Sequence, residues 1–451
     1  MNQTDAFVAN KLAVVDLSPK LRYPDPIHGT IELPDWFPIV ANQESVRRMM
    51  FIRQLGLKAY VDFPGAIHTR FSHALGTMQL AKELGNMLSE ELKKTGQPSK
   101  AANLAANLNT LMAAGFLHDI GHGPFSHAID YPASKLLGKT HVEIGRKIIV
   151  DEFQKLEAHG VNINSVVDII EGHHTHPFLH EIVDGPIDVD KLDYLLRDSH
   201  HVGLRYHFDL DQFLHEHVVL GPDDNLESCV LGLRNTLQAR TTAEIFVLIW
   251  KGMYDLVYHI QDSRIAEKML EHAILVACNK NSKLRAKFSE ESQYRKLDDD
   301  TVLDAVGKVE GFPKDVVEMI RSDTLYEPIV DMELSQTPYS FGRRFVESLL
   351  KFDESDVAET AVGLGQSLGG SMGLKSEQVI VDLVKSRKPK TIHLMGKTIE
   401  DQPIYLDGKS DVIAAIEPRI ALKAYIHPSL LNKFKQSEVQ KQLRREIEAW
   451  S

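Results

Sequence analysis

The sequence predicts a mainly α-helical protein that carries a smaller mixed α/β lobe at its C-terminal end. Through most of the first 280 residues, apolar residues recur at three- and four-residue spacing, which is typical of buried amphipathic helices. Short runs typical of β-strands cluster beyond residue 375. The 451 residues have an ordinary composition, with 43% hydrophobic and 25% charged side chains, so a substantial core is expected and general disorder is excluded.

The predicted elements begin with an irregular or short-stranded segment, because Pro24, Pro26 and Pro34 interrupt its short apolar pieces. Helical segments follow, separated by glycine, proline and polar clusters. They cover residues 43–56, 72–96, 101–120, 141–158 and 163–172. The longest candidate helix covers about residues 241–280, where the apolar spacing continues. A helical bundle is the expected outcome.

A polar, strongly charged stretch near residue 281 divides the chain into two predicted units, residues 1–280 and residues 281–451. In the second unit, residues 301–350 have a helical pattern, and the Gly- and Ser-rich residues 361–375 predict a mobile loop. Short strands of a mixed lobe are predicted for the segments QVIVDLV, KTIHLM, QPIYL and KAYIH. The tail from Leu431 to Trp450 predicts a polar helix.

The balance of charge is acidic, with 51 Lys and Arg against 63 Asp and Glu and a formal net charge of −12. Because non-specific nucleic-acid affinity comes mainly from clustered cations, nucleic acid is not a favoured partner, although local basic pockets are compatible with this balance. The two cysteines, Cys229 and Cys278, are too few for a disulfide framework and fit a reducing cytoplasm. Neither a signal peptide nor a membrane span is expected.

Histidines are concentrated in one part of the chain, because 16 of the 21 lie between His68 and His217. Three segments there, residues 68–76, 117–127 and 187–201, combine imidazoles with carboxylates, which suit a mid-row divalent cation. Pro124 ends the preceding helical run, so His118 and Asp119 are expected in a last helical turn. For each histidine alone, a polar residue at a helix end is the simpler explanation, since spacing does not establish coordination.

The spaced residues His73, His118, Asp119 and Asp190 resemble the pattern of the HD superfamily of metal-dependent phosphohydrolases. The flanking segments resemble, in the same order, the HD-domain deoxynucleoside triphosphate (dNTP) triphosphohydrolases. These segments are YPDPIHGTIEL, IRQLG, FPGAIHTRFSHALG, GFLHDIGHGPFSH and GPIDVDKLDYLLRDSHHVG. The resemblance covers about residues 20–275 and is loose beyond residue 300. It implies an HD-domain helical core over residues 1–280 and a C-terminal lobe over residues 281–451 that serves oligomerisation or regulation.

The resemblance also implies the reaction, in which water attacks the α-phosphorus of a dNTP and releases deoxynucleoside and intact triphosphate. The implied metal ligands are His73, His118, Asp119 and Asp190, holding a divalent ion such as Mn, Mg, Fe, Zn or Ni. Open positions on such an ion bind water, lower its pKa and offset charge on the phosphate.

Three further histidines match active-site histidines of the family, namely His122, His127 and His141. His127 and His141 match those beside the α-phosphate, where a group that titrates near neutrality suits proton donation to the nucleoside 5′-oxygen. The alternative for all three is a hydrogen-bonded histidine of the core.

Positions that match the family's substrate contacts lie close to the implied ligands in sequence. Arg70, Lys191 and Tyr194 match phosphate contacts, and Gln54 and Asp198 match contacts to the sugar 3′-hydroxyl. Tyr258 matches the aromatic residue that lies against the deoxyribose and would clash with a 2′-hydroxyl. Surface ion pairs are the alternative for Arg70 and Lys191, and core packing is the alternative for Tyr258.

The resemblance fails at two places. Trp250 and Tyr254 stand where the animal branch carries basic and imidazole groups, and Arg264 is the candidate replacement charge for binding substrate. Asn42 and Met50 stand where that branch has an acid and an arginine for an activating guanine nucleotide, so activation by that route is not expected. An allosteric nucleotide bound in another way stays an open alternative.

The resemblance implies a homo-oligomer, either a dimer or a tetramer, with dNTPs as substrates and no membrane partner. Because the match begins within the first thirty residues, no sterile-alpha-motif segment is expected ahead of the core. Two other functions stay open. One is an HD phosphohydrolase for another phosphoester, such as a nucleoside monophosphate, a signalling nucleotide or the end of a nucleic-acid single strand, and the other is a non-catalytic nucleotide sensor.

Overall fold

The computed structural model describes residues 22–125, 127–334, 343–386, 388–398, 400–417 and 419–450, without the side chains of His127, Arg343 and Trp450. Helices make up 62% of the structure and the sheets are small, so the predicted mainly α fold with a mixed α/β lobe is confirmed. Among the described residues, no helix combines the length and the apolar character needed to cross a membrane.

The described chain begins with an antiparallel hairpin, β1 (Arg22–Asp25) and β2 (Gly29–Glu32), which confirms the predicted short strands. The carboxylate of Asp25 accepts hydrogen bonds from the backbone N–H of Ile27 and of His28, at 2.9 and 3.0 Å, and so shapes the turn. Short helical pieces follow: α1 (Phe37–Ala41), α2 (Glu44–Arg47) and two 3₁₀ turns, Arg48–Phe51 and Gly56–Ala59.

A run of helices between residues 70 and 201 forms the main core. They are α3 (Arg70–Lys94), α4 (Pro98–Leu117), α5 (His127–Leu137), α6 (His141–Glu152), α7 (Ile163–Glu171), α8 (Pro177–Asp184) and α9 (Val189–His201). Side-chain caps fix several of their starts, because Thr69 and Thr140 form capping boxes and Asp188 accepts from the N–H of Lys191. The predicted helices in this range are confirmed with shifted ends.

The predicted single helix over residues 241–280 is wrong, because the chain forms two helices there. After α10 (Leu210–His215) and the paired strands β3 (His217–Leu220) and β4 (Val230–Leu233), α11 (Leu237–Met253) runs into a π turn, Tyr254–Tyr258. Ile260 then leaves the helical conformation, with φ −60° and ψ 139°, and α12 (Gln261–Lys280) begins. The apolar spacing hides this break because Ile260 is itself apolar.

Further helices and a three-stranded antiparallel sheet form the rest of the described residues. The elements are α13 (Ser282–Ser289), α14 (Glu291–Tyr294), α15 (Asp299–Gly307), α16 (Phe312–Arg321), β5 (Glu327–Glu333), α17 (Arg343–Lys351), α18 (Glu354–Ser371), β6 (Val379–Lys385), β7 (His393–Leu394), β8 (Ile404–Tyr405), α19 (Asp411–Ala414), β9 (Ile420–Ile426) and α20 (Gln436–Trp450). The predicted strands and the C-terminal helix are confirmed, whereas β5 interrupts the helical stretch predicted for residues 301–350.

The mobile loop predicted for residues 361–375 is also wrong, because α18 continues to Ser371. Leu364 and Leu368 are fully buried in the core beneath the sheet. An added Cβ on Gly369 would lie 3.2 Å from the Val379 side chain, so this glycine allows the helix to pack closely on β6. Composition alone does not separate this use of glycine from flexibility.

Two hydrophobic cores organise the chain. The first includes residues from Ile31 to Tyr326 and also Leu394 and Tyr425, and the second joins the β5-β9-β6 sheet to α18 and α20. A sheet in the order β3-β4-β7-β8, with β4 and β7 parallel, pairs strands of residues 217–233 with strands of residues 393–405, and its Leu233 and Leu394 belong to the first core. The predicted boundary near residue 281 lies within the span of the first core and stays a prediction.

Candidate metal centre and active site

His73, His118, Asp119 and Asp190 are carried by three helices of the main core. His73 lies in the first turn of α3, and Asp190 lies in the first turn of α9. His118 follows α4 with helical angles, φ −55° and ψ −36°, as the sequence predicts for a last turn. Both α3 and α9 begin at a capped residue, which fixes the direction in which these side chains leave the helix.

The four side chains converge on one place. Nε2 of His73 lies 3.0 Å from Oδ1 of Asp190, and Nε2 of His118 lies 3.4 Å from the same oxygen. Nε2 of His118 also lies 3.5 Å from Oδ1 of Asp119. Ligand atoms of His73, His118 and Asp119 all lie within 4.8 Å of one another. The structure thus brings the four predicted residues together, and their role as ligands stays a proposal.

The histidines and aspartates of this group stabilise one another's charged forms. Burial opposes protonation of His73, but its contacts with Asp190 and Asp193 outweigh burial and raise the pKa of His73 to about 10. Burial likewise opposes ionisation of Asp119 and Asp190, but the neighbouring histidines hold the pKa values of both carboxyls well below the usual range. The Asp119 carboxylate also contacts the Arg70 guanidinium. The carboxyl groups of Asp119 and Asp190 therefore stay ionised and negatively charged.

These donors fit a divalent metal ion. The Nε2 atoms of His73 and His118 are buried and, among the described residues, neither has a well-oriented hydrogen-bond partner. A buried polar atom without a partner is costly, and a cation placed among the two imidazoles and two carboxylates would satisfy both nitrogens. Mixed nitrogen and oxygen donors accept Mn, Mg, Fe, Zn and Ni, so the set does not select one metal.

A second group, formed by His122, Asp130 and His141, lies beside the first. Their ligand atoms lie within 4.8 Å of one another, and the His122 and His141 rings stack with centroids 3.9 Å apart. Nε2 of His122 lies 3.4 Å from Oδ1 of Asp119, which connects the two groups. Sequence reasoning missed Asp130, although it lies three residues after His127 and so on the same helix face. The side chain of His127 lies outside the described residues.

Gly121 allows α6 to bring His141 into this group. An added Cβ on Gly121 would lie 1.9 Å from the carbonyl oxygen of His141 and 2.4 Å from the N atom of Gly145. Both contacts are with backbone, so a side chain at this position cannot be accommodated by a rotamer change.

The predicted phosphate contacts border the metal cluster, but two of them already contact carboxylates. Arg70 contacts Asp119, and the Lys191 ammonium contacts Asp188 and donates to the Gly185 carbonyl at 3.1 Å. The Asp188 carboxylate and its neighbours outweigh burial and raise the pKa of Lys191, so the ammonium keeps its charge. The Tyr194 ring meets the His73 ring edge to face, with centroids 6.5 Å apart.

Gln54, Asp198 and Tyr258, the predicted sugar contacts, lie around His68. The Tyr258 hydroxyl donates to Oδ2 of Asp198 at 2.7 Å, and Nε2 of His68 lies 2.7 Å from Oδ1. The N–H of Gln54 donates to the His68 carbonyl at 3.0 Å, and Oε1 of Gln54 is buried with no hydrogen-bond partner among the described residues. The Tyr258 and Tyr194 rings lie 6.0 Å apart, which joins this group to the metal cluster.

Arg264 forms an ion pair with a residue of the C-terminal lobe. Its guanidinium donates to both carboxylate oxygens of Asp382, at 3.0 and 2.6 Å, and so joins α12 to strand β6 of the lobe. The structure does not bring Arg264 into contact with the metal cluster, and its predicted role in substrate binding stays a prediction. Trp250 and Tyr254 pack together with ring centroids 4.6 Å apart.

Two residues that sequence reasoning missed hold the loop that follows α4. The buried Arg48 donates to the carbonyls of Ile120 and His122, at 3.0 and 2.7 Å. The Asp299 carboxylate accepts from the N–H of Phe125 at 3.0 Å, although the two residues are 174 positions apart. Phe125 has a φ of 57°, an uncommon conformation that this contact secures. Local patterns contain no signal for such distant pairs.

Comparisons with known proteins give two family matches and several relatives. The HD domain family matches residues 70–198, and the HD associated region matches residues 236–426. Human deoxynucleoside triphosphate triphosphohydrolase SAMHD1 is 28% identical over 346 residues, which cover 66% of this chain and 52% of that protein. The SAMHD1 of Danio rerio is 33% identical over 241 residues, which cover 45% of this chain and 37% of that protein.

Two further comparisons involve proteins of undescribed activity. An uncharacterized protein of Methanocaldococcus jannaschii is 30% identical over 256 residues, which cover 56% of this chain and 48% of that protein. The crystal structure of a hypothetical protein from Aquifex aeolicus superimposes with a TM-score of 0.68 and covers 94% of this chain and 99% of that one. At 21% identity, this last likeness shows the fold alone.

Residues 70–198 of the chain therefore match the HD domain, and HD domains are metal-dependent. The chain carries an HD domain followed by an HD associated region, and it is similar to SAMHD1 proteins at about 30% identity. The chain spans about half or less of the length of the curated relatives described above.

Proposed function

We propose that the protein hydrolyses dNTPs to deoxynucleoside and triphosphate, through attack of water at the α-phosphorus. The observation that carries this proposal is the adjacency of three groups: the metal-type cluster, the His122 and His141 pair, and the buried polar group around Asp198. The relatives named as deoxynucleoside triphosphate triphosphohydrolases support the choice of substrate.

His73, His118, Asp119 and Asp190 would hold the divalent ion. When bound, the ion would lower the pKa of a coordinated water and offset charge on the attacked phosphate. Arg70 contacts Asp119 beside the cluster, and its guanidinium carries five N–H groups. By resemblance, Arg70 would contact a phosphate oxygen there, together with Lys191 and Tyr194.

The leaving 5′-oxygen needs a proton when its bond to the α-phosphorus breaks. His141 is the proposed donor, with His122 stacked against it and Asp130 close to both rings. His127 is a further candidate by resemblance. A histidine suits this step because its charge changes near neutral pH. The water oxygen enters the triphosphate, and the proton from histidine leaves with the deoxynucleoside.

Selection of a deoxyribose is proposed for Gln54, Asp198 and Tyr258. Asp198 holds the Tyr258 hydroxyl, so the ring has a fixed position against the sugar. The buried Oε1 of Gln54 has no partner among the described residues and would accept a hydrogen bond from the 3′-hydroxyl. A sugar that carries a 2′-hydroxyl would meet the Tyr258 ring.

A second candidate is hydrolysis of a less charged phosphoester by the same centre. Lys191 and Arg264 both contact carboxylates, and Trp250 and Tyr254 bring no positive charge, so fewer free cations face a triphosphate than the resemblance implies. A nucleoside monophosphate, a signalling nucleotide or a single-strand end would need fewer of them. A sensor that binds nucleotide without turnover is the third candidate.

Three wider predictions accompany the proposed function. A homo-oligomer and an allosteric nucleotide are proposed from the resemblance to SAMHD1 proteins alone. A cytoplasmic location is proposed from cysteine usage, and Cys229 and Cys278 are both buried and free.

The test is incubation with Mn²⁺ and each dNTP, singly and mixed, beside ribonucleotides, monophosphates and a single-stranded oligonucleotide, with products separated by chromatography. We expect equal amounts of deoxynucleoside and triphosphate from wild type and none from Asp119→Asn. Asp211→Asn is the matched control, since the Asp211 side chain is 90% exposed. Inorganic phosphate or product from another ester would favour the second candidate, and bound nucleotide without product would favour the sensor.

A further inference from the structure

Asp193 joins the candidate metal centre to the N-terminal hairpin. Oδ2 of Asp193 lies 2.7 Å from Nδ1 of His73, and Oδ1 lies 2.6 Å from Nε2 of His28. His73 belongs to the metal cluster through its other nitrogen, whereas His28 lies in the turn between β1 and β2. One buried carboxylate therefore links two histidines from distant parts of the chain.

An ion-pair network fixes this carboxylate. Arg197 donates through Nε and Nη2 to the two oxygens of Asp193, both at 2.9 Å. The same guanidinium donates to Asp25 at 2.8 and 3.2 Å, so it also ties down the hairpin. The side chains of Asp193 and Arg197 are fully buried. Both are therefore held in one geometry, as buried ion pairs with complete hydrogen bonding are.

Gly76 makes room for the network. An added Cβ at this position would lie 1.8 Å from Oδ1 of Asp193 and 2.5 Å from Nη2 of Arg197. The close approach of α9 to α3 therefore requires a residue without a side chain one turn after His73. Neither this glycine nor the His28 turn has a place in the chemistry described above.

We propose that Asp193 and His28 are positioning residues for His73, so that docking of the N-terminal hairpin and binding of the metal are coupled. Asp193 accepts the Nδ1 proton of His73 and thereby leaves Nε2 as the nitrogen that would bind the metal. Such carboxylate partners orient a metal-bound histidine and raise its basicity. His28 donates to the other oxygen of Asp193 and keeps it aimed at His73. This inference rests on the metal centre of the proposed function and not on its substrate.

Coupling between two sites is reciprocal in free energy. A loosened hairpin should therefore weaken metal binding, and a bound metal should lower the equilibrium constant for opening of the hairpin by the same factor.

The test measures the Mn²⁺ affinity of folded variants by the EPR signal of free Mn²⁺. Asp193→Asn should weaken binding by about 10- to 100-fold, as loss of such partners does. His28→Leu should weaken binding about tenfold, and His28→Gln should restore most of it, because the Gln amide can donate to Asp193. His215→Gln is the control, since the His215 side chain is 64% exposed.

A second measurement separates positioning from loss of fold. Hydrogen exchange at residues 22–32 should slow when Mn²⁺ is added to wild type and should not respond in His28→Leu. Wild-type affinity in both His28→Leu and Asp193→Asn would overturn the inference. A wild type that binds no Mn²⁺ would overturn the proposed function along with it. If the variants bind Mn²⁺ more weakly and the wild type does not hydrolyse dNTPs, only the proposed substrate would be overturned.

Discussion

The Tyr258 hydroxyl donates to the Asp198 carboxylate over 2.7 Å, at the place where α11 gives way to α12. Asp198 lies on α9, the helix whose first turn carries Asp190. A single helix thus presents a candidate metal ligand at its start and a candidate sugar contact two turns later. The break at Ile260 gives Tyr258 its position at the end of the π turn.

Replacing Tyr258 with alanine should relax selection against ribonucleotides, because the ring that would meet a 2′-hydroxyl is removed. We expect the ratio of kcat/KM for dATP over ATP to fall at least about tenfold, the scale of a steric discrimination. Tyr258→Phe keeps the ring, so this variant should raise KM while it keeps the ratio. An unchanged ratio in Tyr258→Ala would contradict this role.

Gly121→Ala should damage the His122 and His141 pair, because the new methyl group would meet the backbone of α6. We expect a loss of about 1–3 kcal/mol in the free energy of unfolding, the usual cost of overpacking, and at least a tenfold loss of kcat. Gly370→Ala is the control, since nothing lies within 4 Å of an added Cβ there. Equal thermal stability and kcat in the two variants would count against the packing argument.

Arg264 and Asp382 should be coupled in stability. The Asp382 side chain is only 1% exposed, so Arg264→Ala leaves a buried carboxylate without its main partner, at a cost of about 3–5 kcal/mol. The double variant Arg264→Met/Asp382→Leu should be more stable than the sum of the single changes. Urea unfolding of wild type, Arg264→Met, Asp382→Leu and the double variant measures the coupling. Additive changes in the free energy of unfolding, together with a raised KM in Arg264→Ala, would instead support the predicted phosphate contact.

Glu181 should make stability fall as the pH rises. Burial raises the pKa of this carboxyl from 4.5 to about 7, while its Oε2 accepts from the N–H of Leu231 at 2.5 Å. Between these pH values the folded chain holds the proton more tightly than the unfolded chain, so folding is favoured at low pH and loses up to about 3 kcal/mol by pH 7.

Glu181→Gln should remove this dependence, because the amide keeps an acceptor and does not ionise. Thermal unfolding of both proteins between about pH 5 and 8 gives the comparison, with Glu359→Gln as the control, since the Glu359 side chain is 62% exposed. Curves that stay parallel for wild type and Glu181→Gln would show that Glu181 ionises normally.

The sequence predicts the helical core because apolar spacing and caps are local signals. It also predicts that His73, His118, Asp119 and Asp190 belong together, since the HD pattern is contained in short segments. Where the predictions fail, the deciding contact is not local. Gly369 packs against a strand that comes later in the chain, and Ile260 breaks a helix without any change in apolar spacing.

Residues that support the site from distant parts of the chain are not predictable from the sequence for the same reason. Asp299 reaches Phe125 across 174 positions, and His28 reaches Asp193 across 165. Each carries an ordinary polar side chain in an unremarkable local pattern. Only the folded chain shows that these groups are buried, paired and aimed at residues of the candidate centre.

The most direct test of the central claim is hydrolysis of dGTP in ¹⁸O-labelled water with Mn²⁺, with an activating dNTP mixture where activity requires one. Attack at the α-phosphorus with departure of the 5′-oxygen predicts that one ¹⁸O atom enters the triphosphate and none enters the deoxyguanosine, as mass spectrometry would show. Label in inorganic phosphate, in a nucleotide fragment or in the deoxyguanosine would contradict the account.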